Sequence, residues 1–529
     1  MAITQQASRS IDSPSKEDVA AAVCVARDVV DAATRHLKAA VEDQRAQYDL
    51  AHAAAAVAMC EEALAYAVRG ETEAMLAQVF VGGVLSDLGA TLFRSAGRWG
   101  VSADALDATQ QLVEHLTDPA FTSQAAEVAG PAHLRDDLKL VAETFRRFGE
   151  EQIRPHAEEI HRQDLDIPQH IIDGVAGLGC FGLSIPEAYG GFAQGTADDY
   201  LAMIIATEEL SRASLGAGGS LITRPEILAR ALEAGGTEAQ KQQWLPRIST
   251  GEVLCAVAVT EPDYGSDVAN LTTTAVRDGD GWRITGTKTW CTFGGRANVL
   301  MVLARTDPDP TAGHRGLSIF IVDKPSDDGH AFRHDAHGGS MEGRAIPTLG
   351  YRGMHSFEVS FDSWFVEAEN LLGGDAGENR GFYLQMAGFE NGRIQTAARA
   401  VGVMDRAREL ALGYAENRHV FGKPLLDYPL TRDKLGRMAA LVAISRQYSY
   451  RVARLMADGE GALEAAMAKA FVCKAAEWVT RESLQIHGGM GYAEEYEISR
   501  LFVDARVLSI FEGADETLCL KLIARRLLA

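Results

Sequence analysis

The hydrophobic period of this 529-residue chain changes twice, at Gly251 and near Gly381, and that double change limits the available folds more than any other feature. Before Gly251, apolar residues recur at helical spacing: Val19, Val23, Ala26 and Val30; then Leu138, Leu140, Val141, Phe145, Phe148 and Ile153; then Leu201 to Ser211. Between Gly251 and about residue 375 the pattern is that of strands. Val253 to Thr260, Leu271 to Val276, Trp282 to Ile284, Val299 to Ala304, Leu317 to Val322 and Phe357 to Phe361 are short and apolar or alternating, and Asp278-Gly279-Asp280-Gly281 is a turn. From Gly381 the helical period returns, with Leu435, Met438 and Leu441-Val442 on one face and Ala465 to Ile486 as a second run. The expectation is a mostly α protein with a central β domain, divided into residues 1–130, 131–250, 251–375 and 376–529.

Residues 1–130 are alanine-rich and read as a small helical bundle. Ser15 with Asp18 forms an N-cap signal, a helix over about Tyr48 to Val68 ends at Gly70, and a third holds Met75, Val79 and Leu85 around Gly82-Gly83. No catalytic constellation is visible there, so the segment reads as a packing or oligomer-stabilising extension. A net charge of −22 opposes a nucleic-acid partner, which needs a basic face. The seven cysteines are scattered, with no C-x-x-C pair, which argues against a metal site and fits a reducing compartment. No uninterrupted apolar run reaches the roughly 18 residues of a membrane span, and the N-terminus lacks a signal-peptide pattern. The expectation is a cytoplasmic protein without a membrane partner.

The most informative stretch is Gln485 to Thr517. Its glycine turn, His487-Gly488-Gly489-Met490-Gly491, follows an apolar helical run and presents bare backbone to which a phosphate could come close. An amphipathic segment, Glu497 to Leu508, then delivers Glu512 between Phe511 and Gly513, where a carboxylate can be desolvated yet movable, as a general base must be. At these spacings Gln485, Gly488-Gly489, Gly491-Tyr492, Glu495, Arg500 and Asp504 resemble a signature of acyl-CoA dehydrogenases, and Phe511-Glu512-Gly513 is similar to the family's catalytic loop.

That resemblance covers about three quarters of the chain and implies an α domain, a β-barrel domain and a C-terminal four-helix bundle, to which residues 1–130 are an addition. It also implies bound FAD, an acyl-CoA substrate oxidised across its α and β carbons, Glu512 as the base, and Gly513 beside the substrate. The segment Val259-Thr260-Glu261-Pro262-Asp263-Tyr264-Gly265-Ser266-Asp267 resembles the family's flavin signature, with Thr260 on the flavin ring, Gly265 admitting it and Ser266 donating to phosphate or substrate. Asp263-Tyr264 departs from the two small residues usual there. Trp290-Cys291-Thr292 corresponds to the family's Trp-Ile-Thr over the flavin. Asn417 to Lys423 resembles a loop whose Arg418 and Phe421 reach the FAD of a neighbouring subunit, completed by Gln485, Gly488 and Gly489; a homotetramer, as a dimer of dimers, is implied. The implied electron acceptor is an electron-transferring flavoprotein. An oxidase passing electrons to dioxygen is the alternative on the same fold, and a non-redox DNA-binding relative is opposed by the acidic balance and by Glu512.

Ser220 to Glu226, Gly339 to Ala345 and Gly350 to Ser356 resemble members that act on a short branched dicarboxylic acyl-CoA. A second carboxylate in the pocket requires a cation, and arginine suits it best. Arg224, in Thr-Arg-Pro-Glu, is the first candidate and Arg212 the second, the alternative being that Arg224 only pairs with Glu226 or another acid. Arg393 and Glu390 are assigned to the CoA moiety.

Overall fold

In a computed structural model of the protein, residues 14–39 and 43–529 are described. The chain divides into two compact units, one comprising Met1–Ala132, Ala415–Gln447 and Ala524–Ala529, the other His133–Tyr414 and Tyr448–Ile523.

The first unit is built on three long helices, α1 (Lys16–Lys38), α2 (Gln44–Ala67) and α3 (Glu71–Trp99). The expected cap at Ser15 is a full capping box: the Asp18 N–H donates to the Ser15 hydroxyl at 3.1 Å, and the Ser15 N–H donates to the Asp18 carboxylate at 3.0 Å. Buried alanines on α2, among them Ala46, Ala51, Ala55 and Ala63, keep the helices close, and the Trp99 indole donates to the Ala46 carbonyl. Of the glycine pair, Gly82 is the one packing requires, since a Cβ there would sit 2.6 Å from that of Leu116. By length and composition α3 could cross a membrane, but 56% of its most apolar window is buried inside the fold. The same unit carries a two-residue-per-strand hairpin, His419–Val420 with Lys423–Pro424, turned by Phe421 and Gly422 at φ 49° and 86°.

The second unit wraps helices around one sheet. Its strands are β1 (Cys255–Ala258), β2 (Thr274–Asp278), β3 (Gly281–Thr292), β4 (Val299–Arg305), β5 (Leu317–Asp323), β6 (Ala331–Ala336), β7 (Gly339–Ala345) and β8 (Ser356–Glu367). They pair in the order β1-β4-β2-β3-β8-β7-β6, with β5 also on β4, and only the β4 pairings with β1 and β2 are parallel. Continuous apolar strands mean burial on both faces. Leu300, Val302 and Ala304 join a core with Leu210, Leu221 and Phe320, while the alternate residues Val299, Met301 and Leu303 join one with Ile227, Trp244 and Ile319. Strands β6 and β7 were not expected. The helices that matter for the site are α4 (Ala197–Ala213), α5 (Thr223–Gly235), α6 (Gly381–Asn417), α7 (Ala462–His487) and α8 (Glu497–Val507).

Candidate active site

After α8 the chain makes a tight loop in which Glu512 and Gly513 both have positive φ, 54° and 101°. Glycine accepts this freely, whereas glutamate holds it only when surroundings enforce it. Here Lys469 of α7, 1% exposed, donates to the Gly513 carbonyl at 2.7 Å, and the Thr517 hydroxyl lies 3.0 Å from that of Ser266. The Glu512 side chain is 6% exposed, and one oxygen accepts from Arg224 Nη1 at 2.9 Å. The other lies 2.8 Å from where a Cβ on Gly392 of α6 would stand, so only a glycine at 392 leaves it room. The Glu512 N–H makes no hydrogen bond among the described residues.

Arg224 opens α5, with Pro225 in the first turn. Its partner is Glu512 rather than Glu226, although Glu226 is only two residues away. Glu226 accepts instead from Asn391 and Gln395 and lies 3.6 Å from Arg230, and burial pushes its carboxyl up to about 7. A second arginine stands behind the first. Arg399 of α6 is fully buried, donates to the hydroxyls of Ser220 at 3.2 Å and Thr396 at 2.8 Å, and lies 4.8 Å over the Phe511 ring. Its Nε has no hydrogen-bond partner. Phe511 meets Tyr351 edge-on at 5.4 Å. Burial pulls the Arg399 guanidinium and the Lys469 ammonium below their ordinary ranges, whereas for Arg224 burial is outweighed by Tyr351 and Glu512, which push it up.

The second half of the site lies at the end of β1. Glu261 is buried and accepts from the Thr272 N–H (2.7 Å), the Thr272 hydroxyl (2.8 Å), the Thr273 N–H (2.8 Å) and Lys288 Nζ (2.9 Å). Lys288 also donates to the Val259 carbonyl at 3.1 Å, and the Thr289 N–H to the Thr260 carbonyl at 2.8 Å. These bonds clamp Val259 and Thr260 to β3 just before Trp290, which has φ 57° at a break in the β3–β8 register and is 55% exposed. Thr292 shares a hydrogen bond with Ser356 at 3.0 Å. Gly265 and Ser266 are exposed, and a Cβ on Gly265 would meet nothing nearer than Thr260 at 3.9 Å. Through Ser266 and Thr517 this surface joins the Glu512 loop.

Other expected residues stand elsewhere. Arg212 is 9% exposed and paired with Glu409, with Asp405 and Glu150 each 3.8 Å away, so the structure sets it among acids and not beside Glu512. Arg393 and Glu390 flank Gly392 on α6, buried and half-buried. Gln485, Gly488 and Gly489 form an exposed end of α7, with open space where Cβ atoms of the glycines would point. Arg418 and Phe421 belong to the hairpin of the first unit, where Phe421 is 99% exposed. Two signature residues are structural supports: Arg500 donates to Glu158 at 2.6 Å, and Asp504 accepts from the Tyr351 N–H at 2.6 Å. Sequence reasoning missed Arg399, Lys469 and Gly392. The available signal was a lone cation inside an apolar helical run, as in AAMAKAFV and TAARAVG.

Three family profiles match: the N-terminal domain of acyl-CoA dehydrogenase over residues 135–252, the middle domain over 256–364 and the C-terminal domain over 379–528. The chain is 40% identical over 516 residues to (2S)-methylsuccinyl-CoA dehydrogenase of Cereibacter sphaeroides, covering 93% of this chain and 92% of that one. It is 34% identical to an acyl-CoA dehydrogenase of Bacillus subtilis (strain 168), covering 73% and 96%. The butyryl-CoA dehydrogenase structure from Megasphaera elsdenii superposes with a TM-score of 0.68 at 30% identity, covering 75% of this chain and 99% of that chain. Three matched domains in one order, on a fold that sets a buried glutamate loop beside the β1 turn, establish that this chain belongs to the acyl-CoA dehydrogenase family.

Proposed function

We propose that the enzyme carries out FAD-dependent α,β-dehydrogenation of a short branched dicarboxylic acyl-CoA, with (2S)-methylsuccinyl-CoA to mesaconyl-CoA as the reaction. The observation that carries the dicarboxylate is the charge around the base: Arg224 and Arg399 are both buried beside the Glu512 loop, and the Glu512 carboxylate pairs with Arg224 alone. A buried cation without a counter-ion is costly, and a substrate carboxylate would supply one. The 40% identity with the methylsuccinyl-CoA enzyme over nearly the whole chain supports the same substrate.

The residues present fit FAD. An exposed Trp290 beside Thr292, the bare backbone at Gly265 and the clamped Val259-Thr260 edge form an open face suited to a flat ring and its phosphates. FAD, when bound, accepts the hydride from the β carbon. The protein's own part is proton removal at the α carbon. A thioester α-proton is weakly acidic, so Glu512 must be desolvated and the developing enolate oxygen must meet donors; the unengaged Glu512 N–H is one. Ser266 holds the substrate side of the flavin turn, and Arg393 with Glu390 would meet CoA. We further propose that Arg418 and Phe421, with Gln485, Gly488 and Gly489, serve a neighbouring subunit's cofactor in a homotetramer; the fully exposed Phe421 supports this. An electron-transferring flavoprotein would take the electrons, and seven cysteines with no disulfide among the described residues suit the cytoplasm.

The test is turnover of a panel of CoA thioesters with a dye acceptor. Methylsuccinyl-CoA should exceed butyryl-CoA and isobutyryl-CoA in kcat/KM. Preference for either neutral thioester would end the dicarboxylate reading and leave a general acyl-CoA dehydrogenase.

A further inference from the structure

We infer that Asp164, His330 and His355 form a site for a divalent transition metal of the zinc class, with Asp166 as the carboxylate that orients His355. The inference is independent of the substrate, since none of these residues belongs to the Glu512 loop or to the arginines beside it. It involves no cysteine, so the scattered cysteines do not speak against it.

Three stretches far apart in the chain bring the ligands together within the second unit. Asp164 ends the helix Arg154–Gln163 in a left-handed turn at φ 54°. His330 stands directly before β6, and His355 directly before β8, in the stretch Gly350 to Ser356 whose Tyr351 packs against Phe511. A ring nitrogen of each histidine and a carboxylate oxygen of Asp164 lie within 4.8 Å of one another. His355 Nδ1 is 3.7 Å from Asp164 Oδ1, His330 Nε2 is 3.9 Å from Asp164 Oδ2, and the two rings meet edge-on with centroids 4.4 Å apart. Ligands held about 2.0 Å from a tetrahedral zinc ion stand about 3.3 Å from each other. Closing each carboxylate contact by about 0.5 Å therefore completes three positions and leaves the fourth to water.

The surroundings of His355 are those of a metal ligand. Its side chain is 5% exposed, its Nδ1 faces Asp164, and its Nε2 lies 3.2 Å from Asp166 Oδ1, out of line for a hydrogen bond. The other Asp166 oxygen accepts from the Gly329 N–H at 2.6 Å, which fixes that carboxylate. A ligating imidazole gives its second N–H to an outer carboxylate, and that sets the tautomer and leaves the inner nitrogen free for the ion. The His330 ring is half exposed, with Nε2 2.9 Å from the Asp164 carbonyl, so it can turn onto an ion arriving from solvent. The charge is not strongly negative. Arg352 Nε lies 3.4 Å from Asp164 Oδ1, and Arg296 pairs with Asp328 at 3.0 Å. Imidazole nitrogens rather than an excess of carboxylates would hold the ion, which selects zinc over magnesium or calcium.

The experiment titrates the chelator-treated, full-length flavoprotein with zinc chloride by calorimetry and with cobalt chloride by visible absorption, in wild type, His330→Ala, Asp164→Asn, Asp166→Asn and His355→Asn. Wild type should bind one zinc ion that excess magnesium does not displace. Its cobalt spectrum should be that of a four-coordinate nitrogen and oxygen site without a thiolate band. His330→Ala removes a surface ligand, and Asp164→Asn keeps the turn and loses the anion; each should weaken zinc binding by at least about 10²-fold, and Asp166→Asn by about 10- to 100-fold. Should the buried His355→Asn protein not fold, His330→Ala carries the test. Zinc should raise the thermal midpoint of wild type and leave that of His330→Ala in place. A wild type that binds no zinc, displacement by magnesium, a six-coordinate cobalt spectrum, or unchanged zinc affinity in His330→Ala and Asp164→Asn would each overturn the site.

Discussion

Two buried glutamates of the same unit, Glu261 and Glu512, are each paired with a buried cation at 2.9 Å, and they are built for opposite purposes. Glu261 receives four hydrogen bonds that share its two oxygens, from a lysine, a hydroxyl and two backbone N–H groups. Glu512 receives one, and its second oxygen faces the bare backbone of Gly392. A saturated carboxylate fixes the turn beside Trp290. An unsaturated one, on a loop held by its backbone carbonyl rather than by its side chain, can leave its partner. The difference teaches that burial and ion pairing alone do not distinguish the carboxylate we propose as base from the one that fixes the turn; the number of donors does.

The sharpest way to separate the two is Glu512→Gln, which keeps the shape and removes the base. Bleaching of bound flavin by any acyl-CoA should fall by about 10² to 10⁴ in stopped flow, with FAD retention and thermal midpoint unchanged. Near-normal bleaching would erase the contrast. At Glu261 the effect should appear in stability. Lys288→Met strands a buried carboxylate and should cost about 3–5 kcal/mol in denaturant unfolding, with flavin lost in parallel.

Acid should act on Glu261 in the same sense. Burial alone would push its carboxyl up, but Lys288 and the bonds from Thr272 and Thr273 outweigh it and hold it at about 2, below the 4.5 of a free glutamate. Its contribution is therefore complete above about pH 4.5 and disappears as pH falls toward 2, and Glu261→Gln should flatten the stability profile in that window. The smallest effect should come from Gly392→Ala. Alanine favours the helix by up to about 1 kcal/mol, yet its methyl would displace a Glu512 oxygen. Unfolding should show equal or greater stability while turnover drops by roughly tenfold, a cost in activity with none in stability.

The layout of the second unit was legible because its central strands are apolar on both faces, and periodicity reports that directly. Strands β6 and β7 were not, since AFRHDA and GSMEGRA mix glycine and charge, as strands partly open to water do. The buried carboxylate of the proposed site was legible from Phe511-Glu512-Gly513, and the turn that meets its loop from Val259 to Ser266. The partner of Arg224 was not. Local sequence offers Glu226, but residues two apart on a helix point in different directions, and the true partner lies 288 residues on. Arg212 failed as a substrate candidate for the converse reason: its acids, Glu150, Asp405 and Glu409, are all distant in sequence. Arg399 and Lys469 carry no motif, and only the fold reveals what they surround.

That separation of 288 residues also orders events during synthesis. Arg224 leaves the ribosome long before Glu512, and Arg399 likewise precedes it. A nascent chain that closed this pocket early would seal two guanidinium groups away from water with no anion between them. The arginine side of the site must therefore stay hydrated until the segment that holds Glu512 arrives, so that docking of the Glu512 loop follows formation of the sheet, and truncation shortly before residue 512 should yield a chain whose sheet can form but whose arginine pocket remains open to solvent.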